Sequence, residues 1–174
     1  MNFSIRKTIR EFVAPDARLS CPQATWRRVL HELRRRGGSG RTESGAFLLG
    51  KQDGKCQRVR RFVYYDDLDP DCLKSGAVVI DGGAYGPLWR ICQESGLRVV
   101  ADVHTHPGAA IQSSLDRDNP MIATQGHVAI IVPNFADRYY GAAQCGIYEY
   151  QGSHLWRDWS GDLGLQFFYL GMWG

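Results

Sequence analysis

No apolar run in this chain approaches the ~20 residues that a membrane-spanning helix requires. No CxxC pair or other metal-like cysteine spacing occurs, so a thiolate zinc site is not expected. The cysteines are an odd set of five (Cys21, Cys56, Cys72, Cys92, Cys145) and read as reduced thiols, mostly core filler, in a cytosolic protein. Met1 to Phe12 is broken by Arg6, Lys7, Arg10 and Glu11, so it has no signal-peptide apolar region, and the expected location is the cytoplasm. Repeats, low-complexity tracts and linkers are all missing. A formal net charge of +3 is too small to argue for a nucleic-acid partner. What remains is an ordinary globule of 174 residues, 44% hydrophobic and 22% charged, read as one domain over residues 1–174 with a sizeable core.

Hydrophobic patterning predicts a mixed α/β chain with a central sheet flanked by helices. Residues 2–13 read as an extended lead-in. Ser20-Cys21-Pro22 carries a capping residue and an early proline, predicting a helix that runs to about Arg36. Trp26, Leu30 and Leu33 mark its inner face, and Gly37-Gly38-Ser39-Gly40 ends it. Gly45 to Gly50 is a short apolar run typical of a buried strand, Asp53-Gly54 a hairpin turn, and Gln57 to Tyr65 the return strand. Asp66 to Ser75 reads as an acidic loop, Ala77 to Ile80 as a further strand, and residues 83–95 as a second helix closed by Gly96. Then follow a strand over 97–104, a short helix from about Leu115 to Ala123, and the strand Val128 to Val132. Ala142 to Tyr150 and His154 to Trp159 make a late hairpin across Gln151-Gly152, and the tail Phe167 to Trp173 packs on the body.

The most informative segment is His104-Thr105-His106-Pro107, followed by Ser113 and Asp116. In a strand, residues i and i+2 share a face, so the two imidazoles aim at one point and Pro107 stops the strand behind them. A carboxylate from the next segment completes a His-His-Asp set. Three protein ligands and one open position are the arrangement of a catalytic zinc site, whereas a structural site closes itself with four. Such chemistry needs a proton carrier, and the candidate is Glu43, just before the buried strand. Ser113 lies three residues before Asp116; its hydroxyl suits a developing oxyanion, and it also suits a helix N-cap.

The combination Glu43-Ser-Gly-Ala-Phe-Leu-Leu-Gly50, His104-Thr-His106-Pro107 and Ser113-Ser-Leu-Asp116 resembles the JAMM metalloproteases of the MPN fold, over about residues 20 to 160. The resemblance implies a cytidine-deaminase-like three-layer architecture and one Zn2+ per chain. It implies that His104, His106 and Asp116 bind the zinc, that Glu43 is the general acid/base, and that Ser113 supports the oxyanion. Two departures stand out. The spacer between Pro107 and Ser113 is one residue shorter than the common pattern, which places Arg117 where the third ligand belongs. Asp116 or Asp118 must serve instead, and the intact Ser-x-x-Asp interval selects Asp116. Ala46 stands where the family often has glycine.

The stretches around Asp102 to Gly108, Asp116 to Ala123 and Gly126 to Ala136 look like stand-alone bacterial members. These sit in ubiquitin-like conjugation (Bil) operons linked to phage defence; a related peptidase serves a CBASS branch. The implied partners are a ubiquitin-like protein and its conjugates, with activating-enzyme-like and conjugating-enzyme-like proteins of the same operon, and neither nucleic acid nor membrane. The implied reaction is cleavage after a C-terminal glycine, with the substrate tail laid along a strand edge. Alternatives are a JAMM peptidase trimming a sulfur-carrier protein and a non-catalytic MPN scaffold.

Other residues have plainer readings. His127 is expected to be buried and hydrogen-bonded; His31 and His154 are structural or exposed. Cys145 lies in a strand without a base and is not expected to be a nucleophile. Trp26, Trp89, Trp156 and Trp159 are expected as core or half-buried packing. The arginines at 27, 28, 34, 35, 36 and 41 read as a solvated helix face. The loop Pro133 to Ala142 presents Arg138, Tyr139 and Tyr140 as exposed recognition residues.

Overall fold

The computed structural model describes residues 16–74, 76 and 78–172. The lead-in expected over residues 2–13, Ala77 and Trp173 lie outside that set. The chain runs β1 (Leu19–Pro22), α1 (Gln23–Arg36), β2 (Gly45–Asp53), β3 (Cys56–Tyr64) and the helical turn α2 (Tyr65–Leu68). Next come α3 (Tyr85–Ser95), β4 (Arg98–Thr105), α4 (Ser114–Asp118) and β5 (Val128–Val132). Last are β6 (Gly146–Gly152), β7 (Leu155–Asp158), α5 (Asp162–Phe167) and β8 (Phe168–Gly171). The strands form one mixed sheet in the order β7-β6-β5-β4-β2-β3-β1-β8. β4 and β5 are parallel, while β2 pairs antiparallel with both β3 and β4.

β2 shows why its segment is apolar at every position. Ala46 and Leu48 face one core cluster with Trp26, Val29, Leu30 and Leu33 of α1. Phe47 and Leu49 face the other, with Leu88 of α3 and the ring of Tyr65. A strand covered on both faces carries no alternation, because neither face meets water. The expected mixed sheet with helices on its faces is therefore present. Trp26 anchors the first layer: fully buried, it meets Phe168 edge-on at 5.1 Å and donates Nε1–H to the Tyr140 carbonyl (2.8 Å).

Several expected boundaries move. Ser20-Cys21-Pro22 does not open the helix; it is strand, pairing parallel with β3 and with β8. The helix starts at Gln23 with Pro22 at its cap and no side-chain cap bond. The pairing of Leu19 to Pro22 with Phe168 to Gly171 lies far along the chain and overrides the local cap signal. Val78 to Ile80 forms no strand; the Val79 N–H instead donates to the Cys72 carbonyl (3.0 Å), tying the segment to the preceding loop. Tyr65 to Leu68 makes a helical turn at the head of the acidic loop. The late hairpin turns at Ser153-His154, and a 3-10 turn occupies Ala142–Gln144. Arg36 departs from the expected solvated face. Its guanidinium meets Glu32, Asp66 and Asp67 and lies over the Tyr64 ring at 4.0 Å. Trp89, 47% exposed, is half-buried, as expected, with its ring 6.2 Å from that of Tyr85. Among the described residues no helix is long and apolar enough to cross a membrane.

Candidate metal centre

β4 carries Asp102 and His104 on one face, and His106 follows just past its last residue; both histidines are buried. The His106 N–H donates to the Val132 carbonyl of β5 (2.9 Å), fixing the strand exit. The loop that follows folds back against β6, where Tyr148 donates its hydroxyl to the Ala110 carbonyl (3.3 Å). Gly146 permits that approach, since a Cβ there would stand 2.2 Å from the Ala110 oxygen. α4 is shorter than expected and ends at Asp118, with Pro120 two residues on, as the restriction before a proline requires. Its first turn is a capping box. Ser113 Oγ accepts from Asp116 N (3.2 Å), while the Asp116 carboxylate accepts from Ser113 N (2.7 Å) and from Ser113 Oγ–H (2.7 Å). The short helix therefore turns Asp116, rather than Asp118, toward the histidines.

The three side chains form a tight triangle. His104 Nε2 and His106 Nε2 are 3.0 Å apart, His104 Nε2 and Asp116 Oδ1 3.3 Å, and His106 Nε2 and Asp116 Oδ2 3.2 Å. A tetrahedral ion bound at about 2.0–2.1 Å sets its ligand atoms about 3.3 Å apart. The separations here are of that size, with Asp116 turning one oxygen toward each imidazole. Two imidazoles and one carboxylate suit a transition ion, whereas calcium and magnesium sites use oxygen donors. Among the described residues, His104, His106 and Asp116 form a group able to hold a metal ion. The electrostatics agree. Burial works against a charged His104, but the Asp102 and Asp116 carboxylates outweigh it and raise the ring to about 10. Burial likewise opposes charge on Asp116, yet the two imidazoles hold its carboxyl far below the usual range. The pocket is built for positive charge, and a proton competes for the place.

Glu43 stands beside this triangle, its Oε1 4.0 Å from His106 Nε2. Its neighbour Ser44 is pinned three ways: Oγ–H to the Leu33 carbonyl (2.7 Å), N–H to Thr105 Oγ1 (3.0 Å), and its carbonyl accepting from Thr105 N (2.9 Å). The carboxylate accepts from Val78 N on Oε2 (3.4 Å), leaving Oε1 toward the histidines. All five residues expected at the site, Glu43, His104, His106, Ser113 and Asp116, are thus brought together.

A second layer was not foreseen. Asp102, 1% exposed, accepts from His127 Nε2–H on Oδ1 (2.6 Å) and from the Tyr65 hydroxyl on Oδ2 (3.0 Å). That Oδ2 is 3.8 Å from His104 Nδ1. Burial disfavours the charged carboxyl, but its histidine partners pull it below its ordinary value. The signal in the sequence is an acidic residue inside an apolar strand, two positions before a histidine and so on its face. His127 is buried and bonded, as expected.

One expectation about substrate contact fails. Tyr140 is not exposed; it is buried, donating its hydroxyl to Asp137 Oδ1 and accepting from Asn134 Nδ2 (3.0 Å). It braces a turn in which Asn134, Phe135 and Ala136 all have φ of 51 to 53°, a left-handed conformation that disfavours side chains. Among the described residues β4 lies between β2 and β5, and the outermost strands of the sheet are β7 and β8. Exposed apolar side chains border the site: Ile111 and Leu115 flank Ser113 in sequence, and Val79 follows Val78, whose N–H meets Glu43. Cys145 is buried, and burial pushes its thiol up to about 12, away from the reactive thiolate form.

No family model matches the chain. A curated protein of Sinorhizobium fredii, named a probable metalloprotease, is 32% identical over 63 residues, covering 36% of this chain. The match spans 39% of that relative's length. The solution structure of protein DSY2949 from Desulfitobacterium hafniense shares the fold, with a TM-score of 0.59 and 14% identity over 87% of this chain and 92% of that one.

Proposed function

We propose that this chain is a zinc metalloprotease of the JAMM type that cleaves after the C-terminal glycine of a ubiquitin-like protein. The setting is a cytoplasmic ubiquitin-like conjugation system of antiphage defence, and the reaction is deconjugation, precursor processing or both. One observation carries the reading: His104, His106 and Asp116 bring one ligand atom each within 4.8 Å of one another, and the Glu43 carboxylate stands beside them. His104, His106 and Asp116 would hold the ion, which supplies Lewis acidity to the scissile carbonyl and to water. Glu43 takes the proton released as water attacks and delivers it to the leaving amine. Ser113 Oγ–H turns from Asp116 to the carbonyl oxygen as negative charge develops there. The exposed Val79, Ile111 and Leu115 offer apolar contact to an extended tail.

The test is a ubiquitin-like protein fused through its C-terminal glycine to a reporter, incubated with metal-loaded wild type and with Glu43→Ala. Cleavage after the glycine by wild type alone supports the reading. A folded, zinc-loaded wild type that trims only a short extension on a sulfur-carrier protein supports that substrate class instead. A folded wild type that takes up no zinc refutes the enzyme reading in favour of a scaffold.

A further inference from the structure

Among the described residues, Asp102 is the most deeply buried carboxylate. It lies mid-sheet in β4, 1% exposed, opposite Phe47 of β2. An isolated charge at such depth costs several kcal/mol, so it persists only when well partnered. Its partners come from two separate elements. Tyr65 reaches it from the head of α2, and His127 from the residue before β5. The Tyr65 ring reaches Asp102 only because residue 45 is glycine: a Cβ there would stand 2.1 Å from Tyr65 Cε2 and 2.7 Å from the Val103 carbonyl. Gly45 is also the residue paired with His104 across β2 and β4.

His104 supplies the other half of the case. Its Nε2 belongs to the ligand triangle, facing His106 and Asp116. Its Nδ1 is buried and makes no hydrogen bond, and Asp102 Oδ2 stands 3.8 Å from it. A neutral imidazole that offers a lone pair on one nitrogen carries its proton on the other, and the acceptor of that proton sets tautomer and ring direction.

We propose that Asp102, braced by Tyr65 and His127, is the positioning residue of the metal centre, keeping the His104 proton on Nδ1 and the lone pair on Nε2. This rests on the metal-binding reading above. The experiment titrates metal-free protein with Co2+, whose visible absorption reports ligand geometry, and with Zn2+ against a chromogenic chelator. Wild type, Asp102→Asn and Tyr65→Phe are compared, with melting of each metal-free protein as the measure of folding. Asp102→Asn is expected to weaken Zn2+ binding about 10–100-fold and to alter the Co2+ spectrum while the protein stays folded. Tyr65→Phe, which removes one brace, shifts both readouts the same way by less, and supplies the test if Asp102→Asn does not fold. Wild-type affinity and spectrum in the folded variants, with only melting changed, would overturn the proposal and leave the metal site standing. A wild type that binds neither ion would overturn the metal reading itself, and this proposal with it.

Discussion

The hydroxyl of Ser113 has two separable duties, and two substitutions tell them apart. As an N-cap it accepts from Asp116 N at 3.2 Å. Replacing an N-cap serine by alanine costs about 1 kcal/mol, and by glycine only a few tenths. In a domain of this size one kcal/mol moves melting by about 2–4 °C. Ser113 has φ of −72°, so glycine relieves no strain there. Ser113→Ala should therefore lower Tm by about 2–4 °C, and Ser113→Gly by about 1 °C or less. The oxyanion duty predicts something different: both variants lose the donor, and kcat falls about 10²–10³-fold in each. Zinc affinity should change little, because the Asp116 carboxylate keeps its bond from Ser113 N (2.7 Å) and its contacts with both imidazoles. The assay is thermal melting beside reporter cleavage, with kcat and KM separated. Wild-type kcat in Ser113→Gly would remove the hydroxyl from the chemistry and leave it a cap alone. A loss of kcat that tracks the stability difference between alanine and glycine would refute the reasoning as well.

Glu43→Ala should lower kcat by about 10²–10⁴-fold while zinc remains bound, as metal analysis of the purified variant would record. Loss of the metal along with activity would instead make Glu43 part of the binding set. Gly45→Ala drives a methyl group against the Tyr65 ring and the Val103 carbonyl, a clash expected to cost about 1–3 kcal/mol; an unchanged melting temperature would contradict the packing described. Tyr140→Phe removes the bonds to Asp137 and Asn134 and should destabilise the fold by about 1–2 kcal/mol with kcat/KM unchanged in the folded fraction, whereas a selective activity loss would return this loop to substrate recognition. For pH, His104 in the metal-free protein is raised to about 10. A raised histidine stabilises fully below its unfolded value of about 6.5 and stops doing so as pH climbs through its folded value. The metal-loaded protein holds His104 neutral, so the Tm gap between loaded and metal-free forms should widen from near-neutral pH toward pH 10; melting both forms across that range and finding a constant gap would rule out His104 as a ligand.

Sequence alone determined those features that depend on a few neighbouring residues. Strand alternation placed His104 and His106 on one face, Pro107 marked the exit, and the apolar run Val128 to Val132 matches β5 residue for residue. The Ser-x-x-Asp interval selected Asp116, and the interval is a capping box, which is itself a local structure. Tertiary structure decided what depends on partners distant in the chain. Ser20 to Pro22 carries a helix-start signal, yet it is strand because β3 and β8 arrive beside it. Tyr140 looks like a surface aromatic in a polar loop, yet it is buried, with Asp137 and Asn134 bonded to its hydroxyl and Trp26 to its carbonyl. The brace on Asp102 joins residues 65, 102 and 127, and a glycine at 45 leaves room for it. No short-range pattern encodes that convergence: a buried carboxylate is stable only when distant donors meet it, and the order of strands in the sheet brings them there.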